Sequence, residues 1–101
     1  MRHLDLTSLY NLTVVARAGS ISQAALEVGR TQSALSMQMH RLEEAIGQRL
    51  LHRGGSGVRL TAAGETLLAH AQSLLAHHDE VMADLGGTSL KGMVTLGCPE
   101  D

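Results

Sequence analysis

Aromatic residues are nearly missing from this 101-residue chain, which has no Phe, no Trp and a single Tyr, Tyr10. Its interior must therefore be assembled from Leu, Val, Ile, Ala and Met, and such a core favours helices. Cysteine is as scarce: Cys98 stands alone, which excludes an internal disulfide framework and fits a reducing compartment. No stretch approaches the ~18 apolar residues of a membrane span, and the start, Met1-Arg2-His3-Leu4-Asp5, lacks the apolar run of a signal peptide. A cytoplasmic chain with no membrane partner is expected. At this length there is room for one small domain that buries only about 60 to 65% of its unfolded surface, so a second subunit would help it.

A strong positive balance is also lacking, since the net charge is -2. That value averages two unlike halves. Residues 1–60 hold Arg2, Arg17, Arg30, Arg41, Arg49, Arg53 and Arg59 against Asp5, Glu27, Glu43 and Glu44, a balance of +3. Residues 61–101 hold Lys91 against Glu65, Asp79, Glu80, Asp84, Glu100 and Asp101, a balance of -5. The basic excess thus collects in the first half, where the motifs lie.

What is present is a succession of helix signals. Leu6, Leu9, Leu12, Thr13 and Ala16 share one face of a helix expected from about Asp5 to Ala18, ended by Gly19-Ser20. Ser22 is a good N-cap for a second helix through Val28, with Ala24, Ala25 and Val28 small enough for close approach, and Gly29 stops it. Thr31 caps a third helix to Ile46, whose buried stripe is Leu35, Met39, Leu42 and Ile46. The opposite face carries Ser33, Ser36, Met37 and His40, flanked by Gln32, Gln38 and Arg41. Short polar groups there suit a helix that reads base edges: bulky apolar residues could not approach them, and dense charge would bind any sequence equally. Leu50 to Arg53 and Val58 to Leu60 read as two strands around the tip Gly54-Gly55-Ser56-Gly57, with Arg53 and Arg59 placed to straddle a phosphate or reach a minor groove. The order of parts is a winged helix-turn-helix over 4–61, with the helix-turn-helix at about 21–40 and the wing at about 50–60.

Thr61 then caps a long helix expected over 62–85. Leu68, Leu75 and Met82 recur at one heptad position and Ala71, His78 and Leu85 at the next, with Leu67, Leu74 and Val81 widening the stripe. Three small helices cannot cover so broad a stripe, so it is expected to serve as a dimerisation helix, with His78 packed at the interface. The fold class is mainly α. A hinge is expected at 86–91, and 92–101, including Met93-Val94-Thr95-Leu96, as the first strand of a further domain, which would make the chain a fragment of a longer protein.

The six histidines do not make a metal site. His70 to His77 is i+7, and His77 and His78 diverge by about a hundred degrees, whereas helical ligands sharing a face stand three or four apart. No cofactor, metal or enzymatic role is expected. A protein-interaction module on the same fold would need an apolar or acidic third-helix face, unlike the polar one here.

Taken together, Gly19-Ser20-Ile21-Ser22 to Ala24-Ala25, Gln32-Ser33-Ala34-Leu35-Ser36, Arg41-Leu42-Glu43-Glu44 with Gly47, Leu50 to Arg53, and Gly57-Val58-Arg59-Leu60-Thr61 to Gly64 resemble the N-terminal domain of LysR-type transcriptional regulators. The resemblance runs from about Leu4 to Leu96. It implies a bacterial regulator that binds double-stranded DNA at interrupted inverted repeats as a homodimer or dimer of dimers, with a small-molecule effector bound only by a C-terminal domain. In the family Gln32, Ser33, Ser36 and Gln38 match groove-side or backbone-contacting positions, and Arg53 and Arg59 match the wing. The residues expected to meet DNA are these together with Ser22, Gln23, Thr31, Met37, His40 and Arg41. Two departures stand out. The family usually has proline at Ser33, whose absence from a first helical turn should cost little, and often a basic residue at Met37, which can instead touch a thymine methyl.

Overall fold

In the computed structural model, residues 3–55 and 57–86 are described, and their elements follow the order α1 (Leu6–Ala18), α2 (Ile21–Val28), α3 (Gln32–Ile46), β1 (Leu51–Gly54), β2 (Gly57–Leu60) and α4 (Ala62–Gly86). Polar side chains decide where the helices begin. Asp5 accepts from Thr7 N and Thr31 from Ala34 N, each supplying an acceptor to one of the otherwise unpaired first-turn amides. The cap of α2 is Ser20 rather than Ser22: Ser20 is extended and its Oγ accepts from Gln23 N at 3.2 Å. Starting the helix at Ile21 buries that side chain, and the Ser20-x-x-Gln23 spacing is a capping-box pattern that marks the true start. Gly19, Gly29 and Gly47 end the three helices with positive φ.

The core is made of Leu9, Leu12, Val14 and Val15 from α1, Ile21, Ala24 and Ala25 from α2, Leu35, Met39 and Leu42 from α3, Leu50 and Leu51 at the start of the hairpin, and Leu67 and Ala71 from α4. On α1 the expected stripe is buried at Leu9 and Leu12, but burial also spreads beyond it. Leu6 is exposed and Thr13 and Ala16 are half-buried, whereas Ser8, Asn11, Val14 and Val15 turn inward. With α2, α3 and α4 all packed on α1, burial covers more than one side of it, and no single-face pattern describes it.

The hairpin is antiparallel, in the register Leu51↔Leu60, His52↔Arg59, Arg53↔Val58 and Gly54↔Gly57. Its first strand starts one residue later than expected because Leu50 is used otherwise: its N–H goes to Glu43 and its C=O accepts from Thr61 N. A backbone bond from Val58 N to Gly19 O, 3.0 Å, pins β2 to the α1–α2 corner. Gly57, at φ 132°, has to be glycine there, because a Cβ would stand 2.5 Å from that same Gly19 oxygen.

Helix α4 leaves the hairpin through Thr61, which donates from Oγ1 to Arg49 O at 2.6 Å and accepts from Gly64 N at 3.0 Å. It runs 25 residues, about 37 Å, and extends through Gly86, one residue into the expected hinge; 87–91 and the strand expected over 92–101 lie outside the described residues. Among the described residues no helix is long and apolar enough to cross a membrane. Gly64 lies against the Leu50 carbonyl so closely that an added Cβ would meet it. Alanine normally favours a helix interior over glycine by about 1 kcal/mol; Gly64→Ala is expected instead to destabilise this chain by about 2 kcal/mol, read as a Tm lowered by roughly 10 °C.

Candidate nucleic-acid interface

The turn between α2 and α3 is a left-handed glycine corner. Arg30 N donates to Ala25 O at 3.0 Å and Gly29 N to Leu26 O at 3.4 Å, which pairs two of the last carbonyls of α2 and lets Thr31 begin α3 at once. With Leu35, Met39 and Leu42 buried beneath it, α3 presents Gln32, Ser33, Met37, His40 and Arg41 to solvent and leaves Ser36 and Gln38 half-buried on its two sides. Met37, 53% exposed, forms the crest. On one side of it Gln32, Ser36 and His40 face the wing across a groove of about 470 Å³ bordered by Arg53. On the other, Ala34, Gln38 and Arg41 face the start of α1.

The wing is fastened to α3 by two side chains. Arg53 Nη1 donates to Ser36 Oγ at 2.7 Å, which lays the guanidinium over the groove lip. Deeper in, Glu43, only 8% exposed, accepts from Leu50 N at 2.9 Å and from Leu51 N at 3.2 Å through the same Oε2. Arg49 Nε stands 3.9 Å from that oxygen, and His40 Nδ1 3.6 Å from Oε1. Glu43 belongs to the Arg41-Leu42-Glu43-Glu44 motif, yet it is not among the residues expected to meet DNA. Four residues after Met39, it lies at the edge of the buried stripe, and the return of the chain at Leu50 gives it partners.

The structure brings most of the expected DNA-facing residues together and redistributes some. Ser22 joins Gln32, Ser36 and Arg53 around a cleft of about 460 Å³ at the foot of the wing, whereas Gln23 is exposed beside it and contributes its backbone N–H to the Ser20 cap. Thr31 spends its oxygen capping α3. Gln38 turns toward α1, where its Oε1 accepts from the buried Asn11 Nδ2 at 2.6 Å. Arg53 and Arg59 do not form a pair. Arg59 is opposite His52 and Arg53 is opposite Val58, so alternation along the strands places the two arginines on opposite faces of the ribbon. Both still border one cavity of about 460 Å³ together with His52 and Val58.

The arginines sort themselves by position. Arg17 is paired with Glu27 at 3.0 Å, and Arg49 approaches Glu43. Among the described residues Arg30, Arg41, Arg53 and Arg59 have no carboxylate partner, and all four border α3 or the wing. On α4, Leu67 and Ala71 are drawn into the chain's own core. Leu68 and Leu75 are half-buried, and Leu74, His78, Val81, Met82 and Leu85 are exposed, Leu85 to 84%. The broad stripe is thus divided between the chain's interior and its surface. His77 and His78 stand 3.6 Å from Glu80 and Asp79 respectively, all four in the open.

A polar helix backed by a helix-turn-helix and flanked by an arginine-bearing hairpin defines a winged helix-turn-helix of the DNA-binding class. Residues 6–65 match the family model described as the bacterial regulatory helix-turn-helix protein, lysR family, and the chain belongs to that family. It is 53% identical over 100 residues to the HTH-type transcriptional regulator DgdR of Burkholderia cepacia, covering 99% of this chain and 34% of DgdR. With the HTH-type transcriptional regulator PecT of Dickeya dadantii identity is 39% over 99 residues, covering 98% of this chain and 31% of PecT. The chain thus spans about a third of the length of these relatives. Among solved structures, the CbnR DNA-binding domain in complex with DNA superposes with a TM-score of 0.75 at 32% identity, covering 77% of this chain and 90% of that one. The complex of the BenM DNA-binding domain with benA site 1 DNA gives 0.76 at 31% identity, covering 80% and 91%.

Removing the Glu43 carboxylate strands two buried amide donors. Glu43→Ala is expected to cost about 2 to 4 kcal/mol by urea denaturation and to speed hydrogen exchange at Leu50 and Leu51. Glu43→Gln, which keeps an acceptor, should lose clearly less.

Proposed function

We propose that this chain is the DNA-reading part of a cytoplasmic, nucleoid-associated transcriptional regulator that binds promoter inverted repeats as a homodimer or dimer of dimers. The observation that carries the reading is the polar face of α3, crested by Met37 and bordered by Arg30, Arg41 and Arg53, none of which has a carboxylate partner among the described residues. In this reading α3 enters the major groove. Gln32, Ser33 and Ser36, near its N-terminal end, meet base edges, Met37 packs on a thymine methyl, and His40 and Arg41 reach the backbone further along. Ser22, Gln23 and Thr31 approach backbone phosphate from the helix-turn-helix, and Gln38 acts from the α1 side, its amide oxygen held by Asn11. Arg53, steered by Ser36, meets the flanking backbone from the inner face of the wing and Arg59 from the outer face.

The DNA seen with the BenM and CbnR domains supports this reading by likeness. A small-molecule effector would act through a domain outside these residues. Binding should weaken steeply with salt, about 10³-fold or more between 50 and 200 mM if a dimer neutralises six or more phosphates. Gln32→Ala combined with Ser36→Ala should abolish preference for the operator while leaving the dimer intact. An affinity for the gene's own upstream duplex that is flat with salt would refute the proposal.

The second subunit would lie on the outer half of α4, where Leu74, Val81, Met82 and Leu85 are exposed along one helix, continued by the half-buried Leu68 and Leu75 and by His78. Leu67 and Ala71 support that surface from beneath, as part of the chain's own core. Leu74→Asp with Met82→Asp should convert the dimer to a folded monomer in sedimentation velocity, with helicity retained, because neither residue is buried within the chain.

A further inference from the structure

The groove on the far side of α3 from the wing, of about 540 Å³, is bordered by Arg30, Arg41, Met37, Gln38, Asp5 and His3 among others. We propose that Arg30 and Arg41 form a second phosphate clamp, which holds the backbone of the DNA strand opposite to the one that the wing meets. This rests on the DNA-binding reading above and adds a site to it. An α-helix with its side chains is about 10 to 12 Å across and the major groove about 12 Å wide, so a helix seated there has a sugar-phosphate backbone on each side. The wing with Arg53 covers one side only. The other is the side on which Arg41 leaves α3 and on which Arg30, in the turn just before it, borders the same groove.

The two guanidinium groups are suited to the task. Both residues are exposed, and neither has a carboxylate partner among the described residues, unlike Arg17 and Arg49. Arg30 precedes α3 and Arg41 lies nearly three turns into it, so they would engage separate phosphates rather than one. The acid in the groove, Asp5, is turned away from this role, its two oxygens receiving Thr7 N at 3.2 Å and Ser8 Oγ at 3.3 Å. Continuity is supplied by Met37, which borders this groove and the wing-side groove alike.

Phosphate contacts act on any sequence, so the test uses the 101-residue chain and a mixed-sequence duplex of about 40 base pairs, with affinity measured across a salt series. Arg30→Ala with Arg41→Ala should flatten the slope of log affinity against log salt by about one for each arginine in each bound protomer, and lower affinity near 150 mM salt about fivefold for each arginine removed. Arg30→Lys with Arg41→Lys should keep most of the slope, and circular dichroism should show both variants melting with the unsubstituted chain. An unchanged slope in the alanine variant, beside a reduced one in Arg53→Ala, overturns the clamp and leaves the DNA-binding reading standing. An equal loss in the lysine and alanine variants also overturns it, because charge would then not be the cause. If the unsubstituted chain shows no salt-dependent affinity at all, both readings fall.

Discussion

Two hydrogen bonds accepted by a buried carboxylate hold α3 and the wing in register. Glu43 comes from α3 and its partners, the amides of Leu50 and Leu51, from the point where the chain turns into the wing. Without that acceptor the amides would be buried unsatisfied, at a cost of about 1 to 3 kcal/mol each. The first strand would then lose the anchor that sets its height against the helix. The Arg53 to Ser36 bond across the groove depends on that height being right. Arg53 reaches a helix-borne hydroxyl only because the strand starts where Glu43 puts it.

The scarcity of aromatic side chains has its structural counterpart in close backbone approach. Ala24 and Ala25 are buried between helices, Gly57 comes against the Gly19 carbonyl and Gly64 against that of Leu50. A core of small and aliphatic groups leaves little slack, so the elements touch through their main chains. Those approaches carry hydrogen bonds that a larger interior would have kept apart, Val58 N to Gly19 O and Thr61 N to Leu50 O. The wing is thereby fixed at three places: to α3, to the α1–α2 corner and to the start of α4.

Much of this was legible in the residues, and the exceptions share a cause. Thr31 with the apolar spacing of Leu35, Met39 and Leu42 located α3 and its outward face, because capping and helical periodicity are local properties. Gly29 and Gly47 marked helix ends for the same reason. The cap of α2 was local too: Gln23 stands at the capping-box distance from Ser20, not from Ser22. The rest depended on partners distant in the chain. Asn11 claims Gln38 from 27 residues away, α1 and the core take Leu67 and Ala71 out of the stripe on α4, and cross-strand register separates Arg53 from Arg59. Each of these facts arises from which elements meet, which no single segment records.

The junction at Thr61 has a mechanical consequence. The hydroxyl of Thr61, the amide of Gly64 and the carbonyl oxygens of Arg49 and Leu50 join the base of α4 to the root of the wing, so helix and hairpin turn as one piece. A stiff rod of about 37 Å anchored at one end magnifies angle into distance: a tilt of about 10° at the junction carries its far end through about 6 Å. Read in the other direction, whatever grips the outer end of α4 holds a long arm over the orientation of the wing, and small rotations near Thr61 are the ones it controls best.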